Sequence, residues 1–157
     1  MEKVIMIGST EVKLSNSIAW TMEYRDQFGR DVIQDHLPFF ASITEALATI
    51  VSENGTELTM TDILKSVEGR VMDLMIPLMQ LDGMQTIINV TWAMAKACDD
   101  SIPPPKQWVR QFDEFPLDVV VPAVYSLAFS GFVSSKNLTR LTKTLADLRE
   151  KSQPTSI

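Results

Sequence analysis

LDVVVPAVYSLAFSGFV, running from Leu117 to Val133, is the most apolar stretch of the chain, with Asp118 as its one charge. Its length and apolar character predict a helix with Pro122 near the first turn, where proline is best tolerated, and a central place in the core. The uncharged run Val119 to Ser135 holds seventeen residues and includes Pro122, Ser126, Ser130 and Gly131. A membrane span needs about 20 predominantly apolar residues, so the stretch reads as a buried helix and no membrane is expected.

Working outward, the helical period recurs upstream. Met84 to about Cys98 places Ile87, Ile88, Thr91, Trp92 and Ala95 at helical spacings, and Ser101-Ile102-Pro103-Pro104-Pro105 breaks the run. Pro105 suits the first turn of a helix carrying Trp108, Val109 and Phe112, which Phe115-Pro116 ends. Trp92 and Trp108 flank the prolines with Phe112 and are expected to be buried together, clamping the turn. Further upstream, Phe39, Ile43, Leu47, Ile50 and Val51 share one helical face before Asn54-Gly55. Met60 to Leu81 reads as a kinked helix or two short ones, interrupted by Gly69 and Pro77.

The N-terminal part reads differently. Val4 to Ile7 is rich in β-branched residues, Val12 and Leu14 alternate with Lys13, and Gly8-Ser9-Thr10 supplies a turn, so a small hairpin is expected. A helix follows, with Ser17 as its N-cap and Phe28-Gly29 at its end. Asp31 to His36 is polar, and a short helix or loop is expected there. The whole predicts a mainly α protein, a single compact helical domain of about six helices with a short N-terminal β-hairpin. Its parts are a hairpin at 3–14, a helical body at 17–135, a basic amphipathic terminal helix at 136–151 and a tail at 152–157.

At 157 residues the chain is about one domain long, and 45% hydrophobic residues suffice for a real core. A net charge of −6 argues against a nucleic-acid binder, which needs a basic face. One Cys and one His exclude an intrachain disulfide, a cysteine-based zinc site and most catalytic triads. His36 reads as a surface side chain beside Asp31 and Asp35, and Cys98 as a buried structural thiol. Asp99-Asp100 and Asp113-Glu114 fall at helix ends, where paired carboxylates are ordinary. No glycine pattern for phosphate binding is present, so no enzyme, cofactor or metal is expected. The apolar run near the N-terminus is shorter than a secretory leader requires, and an intracellular, soluble protein is expected.

Charge is unevenly placed. Residues 136–157 carry a net +3 and the remainder −9. Leu138, Leu141, Leu145 and Leu148 form a stripe at spacings of three, four and three, accompanied by bases including Arg140 and Lys143. Such a stripe either packs on the chain's own core or docks on a partner, a second copy among them.

The stretch TWAMAKACDDSIPPPKQWVRQFDEF, Thr91 to Phe115, resembles the recurring block of tail assembly chaperones from tailed phages of Gram-positive bacteria. The hairpin around Ile7-Gly8-Ser9-Thr10-Glu11-Val12 and the following Tyr24-Arg25 and Phe28-Gly29-Arg30-Asp31 look similar too. The likeness spans roughly residues 3–35 and 84–116. It marks Trp92, Asp99, Pro103, Trp108 and Phe112 as structural motif residues.

The resemblance implies a non-enzymatic chaperone that binds the tape measure protein and keeps it soluble while the tail tube assembles. It also implies self-association, and a possible frameshifted longer form that recruits the tail tube protein. The expected location is the host cytoplasm, with absence from the mature virion. A minor tail structural protein, or a small phage regulatory protein acting by protein contact, would share this composition.

Overall fold

The computed structural model describes residues 1–36 and 83–132, together with Lys65, Asp147 and Lys151. The chain is mainly helical with a short antiparallel hairpin at its N-terminus. Strands β1 (Glu2–Ile7) and β2 (Thr10–Ser15) precede helices α1 (Ala19–Phe28) and α2 (Val32–Asp35). After the undescribed segment come α3 (Met84–Cys98), α4 (Pro105–Trp108), a 3-10 turn (Val109–Gln111) and α5 (Leu117–Phe132). The expected helices within 39–51 and 60–81, and the terminal leucine stripe at 138–148, lie outside the described residues.

The hairpin follows from alternation. Ile5 and Ile7 on β1 and Val12 and Leu14 on β2 point inward and are buried, while Val4, Met6, Glu11 and Lys13 face outward. Val4 pairs with Lys13, and Met6 with Glu11, across the ladder. The two-residue connection needs a positive φ, and Gly8 supplies +62°. A side chain at Gly8 would also meet Glu114 at 3.0 Å, because the turn packs beneath the loop that precedes α5.

Helix α1 ends as its residues dictate. Gly29 adopts φ 68°, and its N–H donates to the Arg25 carbonyl at 2.8 Å. Its start differs from the expectation. Ile18, not Ser17, is the N-cap, and no side chain caps the helix. Ser17 instead accepts through its backbone carbonyl from the Trp20 N–H, while its own N–H donates to Ser15 Oγ at 3.1 Å. The hydroxyl is thus displaced from capping by the way the chain leaves the hairpin. Asp31 is a true cap for α2, accepting from the N–H groups of Ile33 and Gln34.

Among the described elements, α3 is the hub: α1, β2, α4 and α5 all pack against it. Thr86, Ile87 and the run Val90 to Ala95 are buried, so α3 is covered on nearly every side. The buried hydroxyl of Thr91 donates to the Ile87 carbonyl at 2.7 Å, which removes the cost of placing it there. Helix α5 is buried from Val120 through Ala128 apart from Pro122, and packs on β1 and α3. Pro122 is the sixth residue of the helix, just past its first turn, as expected from a start at Leu117. A helix-interior proline costs about 3 kcal/mol, but fully burying each Val or Leu gains about 1.5–3 kcal/mol. Val120, Val121, Val124 and Leu127 together outweigh it.

The hairpin and α5 are joined closely. Asn16 Nδ2 donates to the Leu127 carbonyl at 3.2 Å and to Ser130 Oγ at 3.0 Å. A Cβ at Gly131 would lie 2.8 Å from the Asn16 carbonyl oxygen. Only glycine permits that approach. No helix among the described residues is long and apolar enough to cross a membrane.

Candidate functional site

The proline turn between α3 and α4 is the most organised polar feature of the described surface. Trp92 is buried on α3, and its indole N–H donates to the Pro103 carbonyl at 2.8 Å. One helical turn on, the Lys96 ammonium donates to the Asp100 carbonyl and to the Ile102 carbonyl, the latter at 2.9 Å. Asp99 caps the end of α3, and its Oδ1 accepts from the Ser101 N–H at 2.9 Å and the Ser101 hydroxyl at 2.7 Å. Those two bonds favour the ionised carboxyl and hold Asp99 below the usual carboxylate range. Carbonyls that prolines leave without nearby N–H donors are thereby satisfied by side chains of α3.

Beyond the turn, Pro104 caps α4 and Pro105 occupies its first turn, as proline geometry favours. Trp108 is buried, and its ring meets Phe112 edge-on with centroids 4.8 Å apart. Phe112 lies outside the helix expected to carry it. The chain narrows to a 3-10 turn after Trp108, and Phe112 is extended at its end. Trp92 belongs to the same core as Trp108 and Phe112, but its described ring partner is Phe28, at 5.7 Å. Of the motif residues, then, Trp92, Asp99 and Pro103 hold the turn, while Trp108 and Phe112 pin its far side.

A cleft of about 250 Å³ lies between β2, the end of α3 and the 3-10 turn. Its floor is apolar, made by the buried Val12, Ala95 and Trp108 with Ile102. Glu11, Lys13, Asp99 and Gln111 form the rim. The half-buried thiol of Cys98 also lines it, so this Cys is not the fully buried one expected. Burial pushes its pKa up, and the carboxylates of Glu2 and Asp99 push the same way, so the thiol is a poor nucleophile. A second depression of about 180 Å³ lies beside α1, between Glu23, Asp26 and the Trp92–Lys96 face.

His36 is corrected outright. It is 1% exposed, not a surface residue. A carbonyl only accepts, so its contact at 2.7 Å with the Val32 oxygen makes Nδ1 the protonated nitrogen. In the neutral ring, Nε2 then accepts from the Tyr125 hydroxyl at 2.9 Å. Burial lowers the His36 pKa and raises that of Tyr125, so both stay uncharged at neutral pH. Local sequence polarity hid this, because the partner lies 89 residues away on α5.

No group of three or more His, Cys, Asp or Glu side chains able to hold a metal ion occurs among the described residues. The paired acids Asp99-Asp100 and Asp113-Glu114 are exposed. Leu138, Arg140, Leu141, Lys143, Leu145 and Leu148 lie outside the described residues. No protein-family model, curated protein or solved structure matches the chain.

Exposed apolar side chains are the remaining surface feature. Met1, Ile18 and Met22 are 78%, 69% and 63% exposed, and Val4 and Met6 are exposed on the outer face of the hairpin. Ile18 and Met22 are four residues apart, on one side of the α1 region.

Proposed function

We propose that this chain is a non-enzymatic tail assembly chaperone that covers apolar helical segments of a tape measure protein while the tail tube forms. The observation that carries the reading is the exposure of Met1, Val4, Met6, Ile18 and Met22 on a chain of net charge −6. Unbranched thioether side chains adapt to varied apolar partners, and the surrounding charge keeps the complex soluble. The resemblance at Thr91 to Phe115 supports it. There, every motif residue with a described role serves the turn or the core, as expected of a scaffold that displays a surface.

On this reading the protein self-associates, so that many weak contacts act together along a long client. A frameshifted longer form would link it to the tail tube protein, and its place is the host cytoplasm, not the finished virion. The test is co-expression with the tape measure protein from the same genome. The expected result is that a client otherwise found in the pellet becomes soluble and co-purifies. Replacing Met6, Ile18 and Met22 together with Ser should return the client to the pellet while the chaperone stays folded. A client that stays insoluble beside the wild-type chain removes the reading.

A further inference from the structure

The hairpin has two free edges, and the sequence treats them differently. Its ladder fixes which backbone groups each edge carries. The Asn16 N–H donates to the Met1 carbonyl at 3.2 Å, so Met1 and Asn16 form a hydrogen-bonded pair. Bonded and non-bonded pairs alternate along an antiparallel ladder. Lys3–Leu14, Ile5–Val12 and Ile7–Thr10 are therefore the bonded pairs. The N–H and C=O groups of Glu2, Val4 and Met6 then point away from β2, along the free edge of β1. Among the described residues no third strand pairs with that edge, and no other backbone group bonds to these three.

Open edges pair readily with other chains, and proteins guard them with charge, proline or bulges. The β2 edge is guarded: Glu11 and Lys13 stand exposed along it, and α3 packs against the strand. On β1 the run Val4 to Ile7 holds neither charge nor proline. Val4 and Met6 are about half exposed on its outer face. Ile5 and Ile7 anchor its inner face in the core, so the edge is already extended before anything binds.

We propose that the free edge of β1 binds an extended segment of a partner protein as an antiparallel third strand. A row of open N–H and C=O groups at strand spacing is satisfied by an extended chain. A helix cannot do this, because its backbone groups are bonded internally. The inference goes beyond the helical-client reading and does not depend on it.

Side chains and charge specify the segment. Residues opposite Val4 and Met6 stand on the outer face, where β-branched or aromatic side chains cover both. Lys3 is exposed, while the ion pair of the hairpin joins Lys13 to Glu2 at 2.7 Å. Lys3 thus matches a carboxylate across the new ladder. From its N-terminus the fitting segment reads apolar, any, apolar, acidic, opposite Met6, Ile5, Val4 and Lys3 in turn. A third strand also suits the hairpin, since two strands alone are marginal.

The test uses the full-length protein and a labelled, end-blocked peptide, TVTVET, followed by fluorescence anisotropy. Its valines face Met6 and Val4, and its glutamate faces Lys3. Saturable binding is expected. N-methylation of both valine amides, which donate to β1, should weaken binding about tenfold or more. N-methylation of the threonine between them, whose N–H faces away from β1, should have little effect. The peptide TVTVKT should bind about two- to fivefold more weakly, and Lys3→Glu should reverse that preference.

Val4→Pro removes one N–H from the open edge and leaves the bonded pairs with β2 intact, a position where proline is tolerated. It should abolish binding without lowering the thermal melt. Val4→Lys, which copies the guard on β2, should weaken binding with the ladder untouched. No binding of TVTVET overturns the proposal. Equal binding by both N-methylated peptides overturns it too, because the contact is then apolar only. Oligomers that dissociate on Val4→Lys but resist competition by TVTVET assign the edge to a second copy, which also overturns it. Binding of TVTVET as expected, by a chain that fails to solubilise the tape measure protein, supports the edge site and removes the helical-client reading.

Discussion

Trp92 and Pro103 are tied by a single hydrogen bond, indole N–H to carbonyl, at 2.8 Å, and this bond joins the central helix to the three-proline turn. Three consecutive prolines have no N–H to offer, so the turn depends on donors from elsewhere. Trp92 and Lys96, one turn apart on α3, provide them.

Trp92→Phe keeps most of the ring packing and deletes the donor. The expected loss is about 0.5–1.5 kcal/mol, the net worth of a typical hydrogen bond, for this part-buried one. Urea unfolding should show a lower midpoint with an unchanged slope. An unchanged midpoint would mean that water replaces the indole at no cost.

Trp108→Ala removes a buried aromatic that packs edge-on against Phe112. Truncations of this kind cost about 3–5 kcal/mol, much of the stability of a typical domain. Thermal melting should fall by many degrees. A melt within a degree or two of wild type would show that the cleft floor repacks without it.

Gly131→Ala tests the joint between the hairpin and α5. The new Cβ would sit 2.8 Å from the Asn16 carbonyl, a backbone atom that cannot swing away. The expected cost is about 1–3 kcal/mol, as for other overpacked sites. By contrast, Gly29→Ala meets no atom within 4 Å and is strained only by its φ of +68°. Comparing the two urea midpoints separates collision from backbone strain.

His36 gives the fold a pH dependence. Burial lowers its pKa, so the unfolded chain binds the proton first as pH falls. The contribution of the neutral ring is complete above about pH 6.5 and is lost as pH falls from there through the folded-state value. Stability measured by urea midpoint should decline between about pH 7 and 5, and His36→Gln should flatten that decline. Tyr125→Phe, which deletes the donor to Nε2, should destabilise at neutral pH by about 1–3 kcal/mol.

Much of the fold was legible in local patterns. Alternation of Ile5, Ile7, Val12 and Leu14 with outward residues can only be a half-buried hairpin, and Gly8 marks its turn. The bounds of α3 follow from its apolar period and the break beyond Cys98, and Gly29 and Pro105 mark an end and a start by their backbone limits alone. These are short-range effects, settled by sterics and by water within a few residues. Which side chains meet across long separations was decided by tertiary structure. Local polarity put His36 at the surface, but Tyr125 on α5 supplies the partner that lets a polar ring be buried. Ser17 was displaced as a cap by the exit from the hairpin, while the expected burial of α5 in the core was met. The cleft arises only where β2, α3 and the 3-10 turn converge. A periodicity shows that a face must be covered; which surface covers it depends on packing between residues that the sequence holds far apart.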